Sequence, residues 1–290
     1  MTAPISPPPT QGIVFACTGE SYITLARRAA RTLRRAAPGT SIDLFADQAV
    51  DDPVFDSVHR LNTTGRRPKM EALRRSRFDR TLCLDADICV TAPLDEVFTL
   101  LDRYDIAACH VALRNGGLGR VTSSAPVSFP MLNSGVIALR KSPETHAFLE
   151  DWQRRFETGK IRKDQPAFRD ALWESDLRLG VLPWEYNLLV FRMLDSWTNQ
   201  MTAPRVLHAR ELHDRDPGDP ETPFELEELL SPDRAARVRE LIEVDETLGG
   251  TYRPQRAPRR KRNNAPPRSR VRRVLRRIRQ VAKGKRQTAP

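Results

Sequence analysis

The chain has 290 residues and a mass of 33.0 kDa, long enough to bury one sizeable α/β core and too long for a small disulfide-stapled module. Hydrophobic residues make up 39% and charged residues 29%, and no run of 18 uncharged apolar residues occurs, so no membrane-spanning helix is expected. The net charge of +11 hides two opposite parts: 16 Lys and Arg with no Asp or Glu from Tyr252 onward, leaving 32 basic and 37 acidic residues, or −5, in 1–251. A polyanionic partner would therefore act on the tail and not on the body.

Residues 1–11 are Pro-rich and expected to be disordered, without the basic-then-apolar pattern of a secretory leader. The apolar run 12–18 reads as a buried strand, followed by a turn at Gly19, Glu20 and Ser21. Helical spacing follows over 21–35, with Tyr22, Leu25, Ala29 and Leu33 on one face, until Pro38 and Gly39 stop it. Residues 41–46 form a second expected strand and 58–61 a short third. A helix over 69–77 precedes a strand over 80–84, which runs into Asp85-Ala86-Asp87. A capped helix over 93–101 and a strand over 105–111 come next. The Gly- and Ser-rich stretch 115–128 is either a mobile loop over a site or a linker. Residues 134–140 are strand-like, and Ser142-Pro143 opens a helix to about 158, with Ser at the cap and Pro in the first turn. A helix over 163–173, extended segments over 177–184 and 204–208, an Asp- and Pro-rich loop over 214–223, and two polar, peripheral helices over 224–230 and 232–243 complete the body.

This alternation predicts an α/β fold with a mostly parallel central sheet flanked by helices, in which ligands bind at the carboxyl ends of the strands. Cys17, Cys83, Cys89 and Cys109 form no C-x-x-C pair and lie in or beside apolar runs; they read as buried small hydrophobes in a reducing, cytoplasmic setting. In the tail, 251–267 reads as a disordered basic linker and 284–290 as a disordered end. Between them, Val271, Val274, Leu275, Ile278 and Val281 line one face of a basic amphipathic helix over 268–283. That pattern suits an anionic membrane surface, here the inner face of the membrane. Nucleic acid is disfavoured because no aromatic residue is interleaved for base stacking.

The sharpest chemical feature is Asp85-Ala86-Asp87 at the end of an apolar strand. Two carboxylates this close repel unless a cation lies between them, and hard divalent cations bind oxygen and bridge diphosphates. Taken alone, the pair reads equally as a solvated strand end.

At this point the chain resembles GT-A-fold (Rossmann-like) glycosyltransferases related to glycogenin and to bacterial lipooligosaccharide galactosyltransferases. The resemblance is carried, in order, by the run from Cys17 to Tyr22, by Lys69-Met70-Glu71-Ala72-Leu73, by Phe78 to Ile88, and by Leu94 to Phe98. It continues through Leu132-Asn133-Ser134-Gly135-Val136, Asp164-Gln165, Leu182 to Asn187, and Val206-Leu207-His208. The resemblance implies a single catalytic domain over 12–250 that moves a sugar, with retention, from a nucleotide-diphosphate sugar (UDP-sugars favoured) to a glycan or lipid-linked acceptor. It implies Asp85, Asp87 and His208 as ligands of Mn²⁺ or Mg²⁺. It implies Thr18, Glu20 and Tyr22 at the base, Asp85 near the ribose, Lys69 at the donor sugar or its phosphates, and Asn133, Ser134 and Gly135 around the donor sugar. Asp164 and Gln165 are implied beside the anomeric carbon. Where that family often follows its C-terminal histidine with Gly and Lys-Pro-Trp, this chain runs His208-Ala209-Arg210-Glu211-Leu212-His213-Asp214, with Arg210 or Arg215 as the available cations. Two alternatives compete: a sugar-1-phosphate nucleotidyltransferase, and a non-enzymatic polyanion binder acting through the tail.

Overall fold

The computed structural model describes residues 10–62, 67–112, 125–159 and 163–252. The expected basic linker from residue 253, the amphipathic helix 268–283 and most of the Gly- and Ser-rich stretch lie outside the described residues, as does the N-terminal segment before Thr10.

The strands in chain order are β1 (Gln11–Cys17), β2 (Ile42–Ala46), β3 (Ser57–Arg60), β4 (Arg80–Leu84), β5 (Ile88–Val90), β6 (Ile106–His110), β7 (Leu132–Arg140), β8 (Leu179–Leu182) and β9 (Val206–His208). The helices are α1 (Glu20–Ala36), α2 (Lys69–Arg75), α3 (Glu96–Leu100), α4 (Pro143–Thr158), α5 (Gln165–Trp173), α6 (Leu226–Leu229) and α7 (Pro232–Val244), with short 3-10 turns between some of them. Seven strands form one sheet in the order β3-β2-β1-β4-β7-β6-β8, and β5 pairs with β9 in a separate ribbon. The main sheet is parallel except for β7, which runs antiparallel to both β4 and β6. The mostly parallel α/β architecture read from the alternation is the one found.

Alternation along the strands divides the core between two faces. Leu82 and Leu84 of β4, Ala107 of β6 and Val136 and Ala138 of β7 pack on one face, with α1 and α3. Cys83, Ile106, Ala108, Ile137 and Leu139 pack on the other, against Phe148 and Trp152 of α4 and Phe168 of α5. Because both faces are covered, the strands are near-continuous apolar runs. Ser142 caps α4 as expected: the Thr145 amide donates to Ser142 Oγ at 3.2 Å, and the Ser142 amide donates to Thr145 Oγ1 at 2.9 Å. All four cysteines are buried without disulfides, and burial pushes the Cys83 and Cys89 thiols up to about 12.

The ribbon strand β5 carries no readable period in the sequence, being three apolar residues directly after the acidic pair. One expectation needs correction. The helices expected to be peripheral are part of the core: Phe224, Leu229, Leu230, Ala235, Val238 and Leu241 are all buried in the same cluster as β1 and α1. The reason is Arg28 on α1. Its guanidinium lies 4.3 Å from the Phe224 ring centroid and donates to the carbonyls of Pro217 and Thr222 and to Glu228, so the Asp- and Pro-rich segment is tied down along its length.

Phe224→Ala is accordingly expected to lower the unfolding free energy by about 3–5 kcal/mol, read from the shift of the urea denaturation midpoint. A change below about 1 kcal/mol would return this segment to the periphery.

Candidate active site

The antiparallel placement of β7 brings two parts of the site together. Register pairs Leu84 with Val136, and the Asp85 amide next along donates to the Gly135 carbonyl at 2.9 Å. The carboxyl end of β4 therefore meets the amino end of β7, carrying Asn133, Ser134 and Gly135. The ribbon brings in the third part: Ile88 pairs with His208, and the Ala209 amide donates to the Asp87 carbonyl at 2.8 Å. Residues 120 and 122 positions apart are thus held together by backbone pairing.

Asp85, Asp87 and His208 offer one donor atom each within 4.8 Å of one another. His208 Nε2 lies 3.2 Å from Asp87 Oδ2 and 4.0 Å from Asp85 Oδ2. The imidazole is oriented from behind, with Nδ1 2.8 Å from Asn187 Oδ1. The Asn187 amide nitrogen in turn donates to Asn133 Oδ1 at 2.8 Å, which also accepts from the Gly135 amide at 2.7 Å. Orienting a ligand histidine through its second nitrogen is the usual way a metal site fixes tautomer and ring plane. Gly135 is required by close approach: a Cβ there would lie 2.3 Å from His208 Cε1.

Lys69 is buried, and its ammonium pairs with Asp85 and donates to the Ser134 carbonyl at 2.8 Å. Burial works against the charged form, but Asp85 and Asp164 outweigh it and raise the Lys69 pKa. Asp164 is buried directly before α5, accepts from Ser134 Oγ at 2.9 Å, and faces Arg67 Nε at 3.4 Å. Gln165, the first residue of α5, is half-buried beside it. These residues and the β4–β7 junction converge on one region.

The residues expected at the nucleotide base lie at the carboxyl end of β1. Gly19 takes φ +84°, and its amide donates to both Asp47 carboxylate oxygens at 3.0 Å. Thr18 is half-buried, and the exposed Glu20 accepts from Gln48. Tyr22 is not core despite its helical spacing: it is 43% exposed and sets its ring edge-on to His213, centroids 5.1 Å apart. Arg215, one of the two candidate cations, donates to the Glu228 carbonyl at 3.2 Å.

The donors fit a divalent cation on the structure's own evidence. Asp87 is 1% exposed, and its Oδ2 accepts no well-formed hydrogen bond among the described residues. Burial pushes its carboxyl up, yet His208 and His213 outweigh burial and hold it well below the usual carboxylate range. An ionised, under-satisfied carboxylate beside a second carboxylate and an oriented imidazole is a donor set compatible with a divalent metal ion. Two residues at the centre were not singled out from sequence. Asn187 lay inside a recognised motif, but its role depends on a partner far along the chain. His213 lies 3.0 Å from Asp87 Oδ2 and was legible only as a second histidine five residues after His208. A groove of about 640 Å³ near the far end of β7 has no such chemistry; its Arg140, Arg155 and Arg178 are paired with Asp105, Asp151 and Glu174.

Gly135→Ala is expected to cost about 1–3 kcal/mol of stability, because the added methyl has to displace both the His208 ring and Asn133 Oδ1, which would lie 2.9 Å from it; urea denaturation measures it. An unaltered midpoint would mean that the approach of β7 to His208 is looser than described.

A family model for nucleotide-diphospho-sugar transferases matches residues 27–217. No curated protein matches the chain. Among solved structures, the glycosyltransferase GlyE of Streptococcus pneumoniae TIGR4 superposes with a TM-score of 0.54 at 17% identity, covering 80% of this chain and 62% of that one. An active-site mutant of LgtC superposes with a TM-score of 0.50 at 16% identity, covering 79% of this chain and 94% of that one. The chain thus spans less than two-thirds of the length of GlyE, and identities this low establish a common fold alone. The family match covers more than half of the chain and runs from within α1, through the acidic pair, to beyond His208; the chain therefore belongs to the nucleotide-diphospho-sugar transferases, glycosyltransferases of GT-A fold.

Proposed function

We propose that the chain is a divalent-metal-dependent glycosyltransferase that moves a sugar, with retention, from a nucleotide-diphosphate sugar, UDP-sugars first among them, to a hydroxyl of a lipid-linked or cell-envelope glycan. The observation that carries this reading is the meeting of Asp85, Asp87 and His208 beside Lys69 and Asp164 at one end of the sheet. Asp85, Asp87 and His208 would hold Mn²⁺ or Mg²⁺. When bound, such an ion neutralises charge on the departing nucleoside diphosphate.

The chain's own residues do the rest. Lys69 supplies a second, fixed positive charge next to Asp85. Asn133 keeps Gly135 and Asn187 in position, so that His208 presents Nε2 to the acidic pair. Ser134 orients Asp164 through its hydroxyl. As the bond from the anomeric carbon to the diphosphate oxygen breaks, its electron pair leaves with the diphosphate and positive charge grows on the sugar ring. Asp164 is the buried carboxylate available to stabilise that charge, with Gln165 beside it. The acceptor oxygen then bonds to the anomeric carbon and gives its proton to the departing diphosphate. Thr18, Glu20 and Tyr22 line the end of β1 where the base would lie.

The alternatives fare worse. A nucleotidyltransferase needs a basic Gly-rich loop after the first strand, whereas Glu20 and Asp47 make this turn acidic. A pure polyanion binder has no use for a buried carboxylate between imidazoles. We further read the body, 12–250, as the catalytic domain and residues 268–283 as a contact for the inner, anionic face of the cytoplasmic membrane, outside the described residues.

Nucleotide release from a panel of nucleotide sugars tests the reaction. One donor is expected to turn over with Mn²⁺, to stop with chelator, and to lose at least 100-fold in kcat/KM in Asp87→Asn, about 2.7 kcal/mol of transition-state stabilisation. Metal-independent turnover, or an active Asp87→Asn, would remove this mechanism. For the tail, flotation with vesicles rich in anionic lipid is expected to carry the full chain and not a chain ending at Tyr252, and to weaken in high salt. Equal flotation of both would remove the tail reading.

A further inference from the structure

Asp164 is given the task of stabilising charge on the sugar ring, yet its side chain is almost wholly buried. An ionised carboxylate in such a place is costly unless positive charge and hydrogen bonds offset it. Its backbone is fixed: the Trp152 indole donates to the Asp164 carbonyl at 3.1 Å, and the Phe168 amide donates to the same carbonyl at 2.9 Å. One carboxylate oxygen, Oδ2, accepts from the neutral Ser134 hydroxyl at 2.9 Å. The other, Oδ1, faces Arg67 Nε at 3.4 Å. Among the described residues Arg67 is the one cation within 4.0 Å of this carboxylate. The Lys69 ammonium is taken by Asp85 and by the Ser134 carbonyl.

We propose that Arg67 is a positioning residue for the transfer: it keeps the buried Asp164 ionised and in place, so that the positive charge growing on the sugar ring meets a full negative charge. This rests on the role given to Asp164 above. The contact is suited to that task by being loose. Its 3.4 Å exceeds the roughly 2.7–2.9 Å of a charge-assisted hydrogen bond, and Arg67 Nε, shielded from solvent, makes no well-formed hydrogen bond among the described residues. A guanidinium at this distance offsets burial without cancelling the charge that the ring is to meet. An ionised carboxylate also has about four lone-pair directions, so Ser134 and Arg67 together leave others for the sugar. Arginine stays protonated at any working pH, which keeps the offset constant. The guanidinium is placed by the same turn that places Lys69. Arg67 directly precedes Pro68, the cap of α2, and Lys69, the first residue of α2, pairs with Asp85. The run Arg67-Pro68-Lys69 therefore brings one cation to Asp164 and a second to Asp85.

A double-mutant cycle on the full-length chain tests this, with Mn²⁺ and the nucleotide sugar from which the unaltered chain releases most nucleotide. Arg67→Gln is expected to lower kcat about 10- to 100-fold, as for a displaced catalytic group. The donor KM is expected to change by less than about 3-fold, since Asp164 acts on charge that appears only in the transition state. Arg67→Lys is expected to recover most of the loss, because it restores the charge. In an Asp164→Asn background the Arg67→Gln change is expected to cost nothing further. Arg67 is 38% exposed, and an unchanged urea midpoint separates the effect from a folding defect; Arg67→Lys decides the matter if Arg67→Gln is unstable. Full kcat in Arg67→Gln, no recovery in Arg67→Lys, or an equal loss with and without Asp164→Asn would overturn the proposal and leave the transferase reading standing. Full kcat in Asp164→Asn would remove the role of Asp164 and this one with it. No release by the unaltered chain from any nucleotide sugar would overturn both readings.

Discussion

The site depends on one buried contact, the Asp87 carboxylate against the His208 imidazole. Taking an ionised carboxylate out of water costs several kcal/mol unless opposite charge and hydrogen bonds offset it, and Asp87 is almost completely buried. The surrounding fold can be understood as the means of meeting that cost. The β5–β9 ribbon fixes the two backbones in register. Leu188 bridges the ribbon from outside, its amide donating to Val206 and its carbonyl accepting from His208, and this carries Asn187 to the far nitrogen of the imidazole. Asn133 and Gly135 complete the chain of buried polar groups back to β7. Each link is satisfied except Asp87 Oδ2, the atom facing the position a cation would take.

Charge at this end of the sheet is arranged asymmetrically. Of its three carboxylates, Asp85 and Asp164 act on the buried Lys69 ammonium, with Arg67 at the rim, while Asp87 faces the His208 and His213 imidazoles. On the function proposed above, a divalent ion between these carboxylates would add the positive charge that a diphosphate needs there. The arginines of α1 do not serve this end. Arg27 and Arg31 pair with Asp52 and Glu221, Arg28 clamps the segment before α6, and Arg35 pairs with Glu225. Arg27, Arg28, Arg31 and Arg35 of α1 thus help hold the C-terminal segment onto the core.

Much of this was legible in the sequence, and what was not has physical reasons. The strands of the main sheet and α1, α4 and α5 could be read because their apolar periods are long and their punctuation is strong; Pro38-Gly39 and Ser142-Pro143 are examples. The acidic pair was legible from its position at a strand end. The direction of β7 was not, since parallel and antiparallel buried strands have the same apolar run, yet that direction brings Gly135 to Asp85. The ribbon strand β5 is too short to carry a period. The C-terminal helices looked peripheral because their composition is polar, and their burial depends on Arg28, about 190 residues earlier. His213 and Asn187 act through partners that no local pattern reveals. Family resemblance supplied His208; the reason that Gly follows Asn133-Ser134 appeared only when the His208 ring was found against it.

Diffraction at the manganese absorption edge, from crystals grown with Mn²⁺ and a nucleoside diphosphate, tests this account most directly. It predicts one anomalous peak in contact with Asp85, Asp87 and His208, with Asp87 Oδ2 bound to the ion. A peak elsewhere, or no peak with the Asp87–His208 contact intact beside the bound nucleotide, would contradict it: the buried pair would then be a structural ion pair, and catalysis would have to draw on Lys69 and neighbouring residues instead.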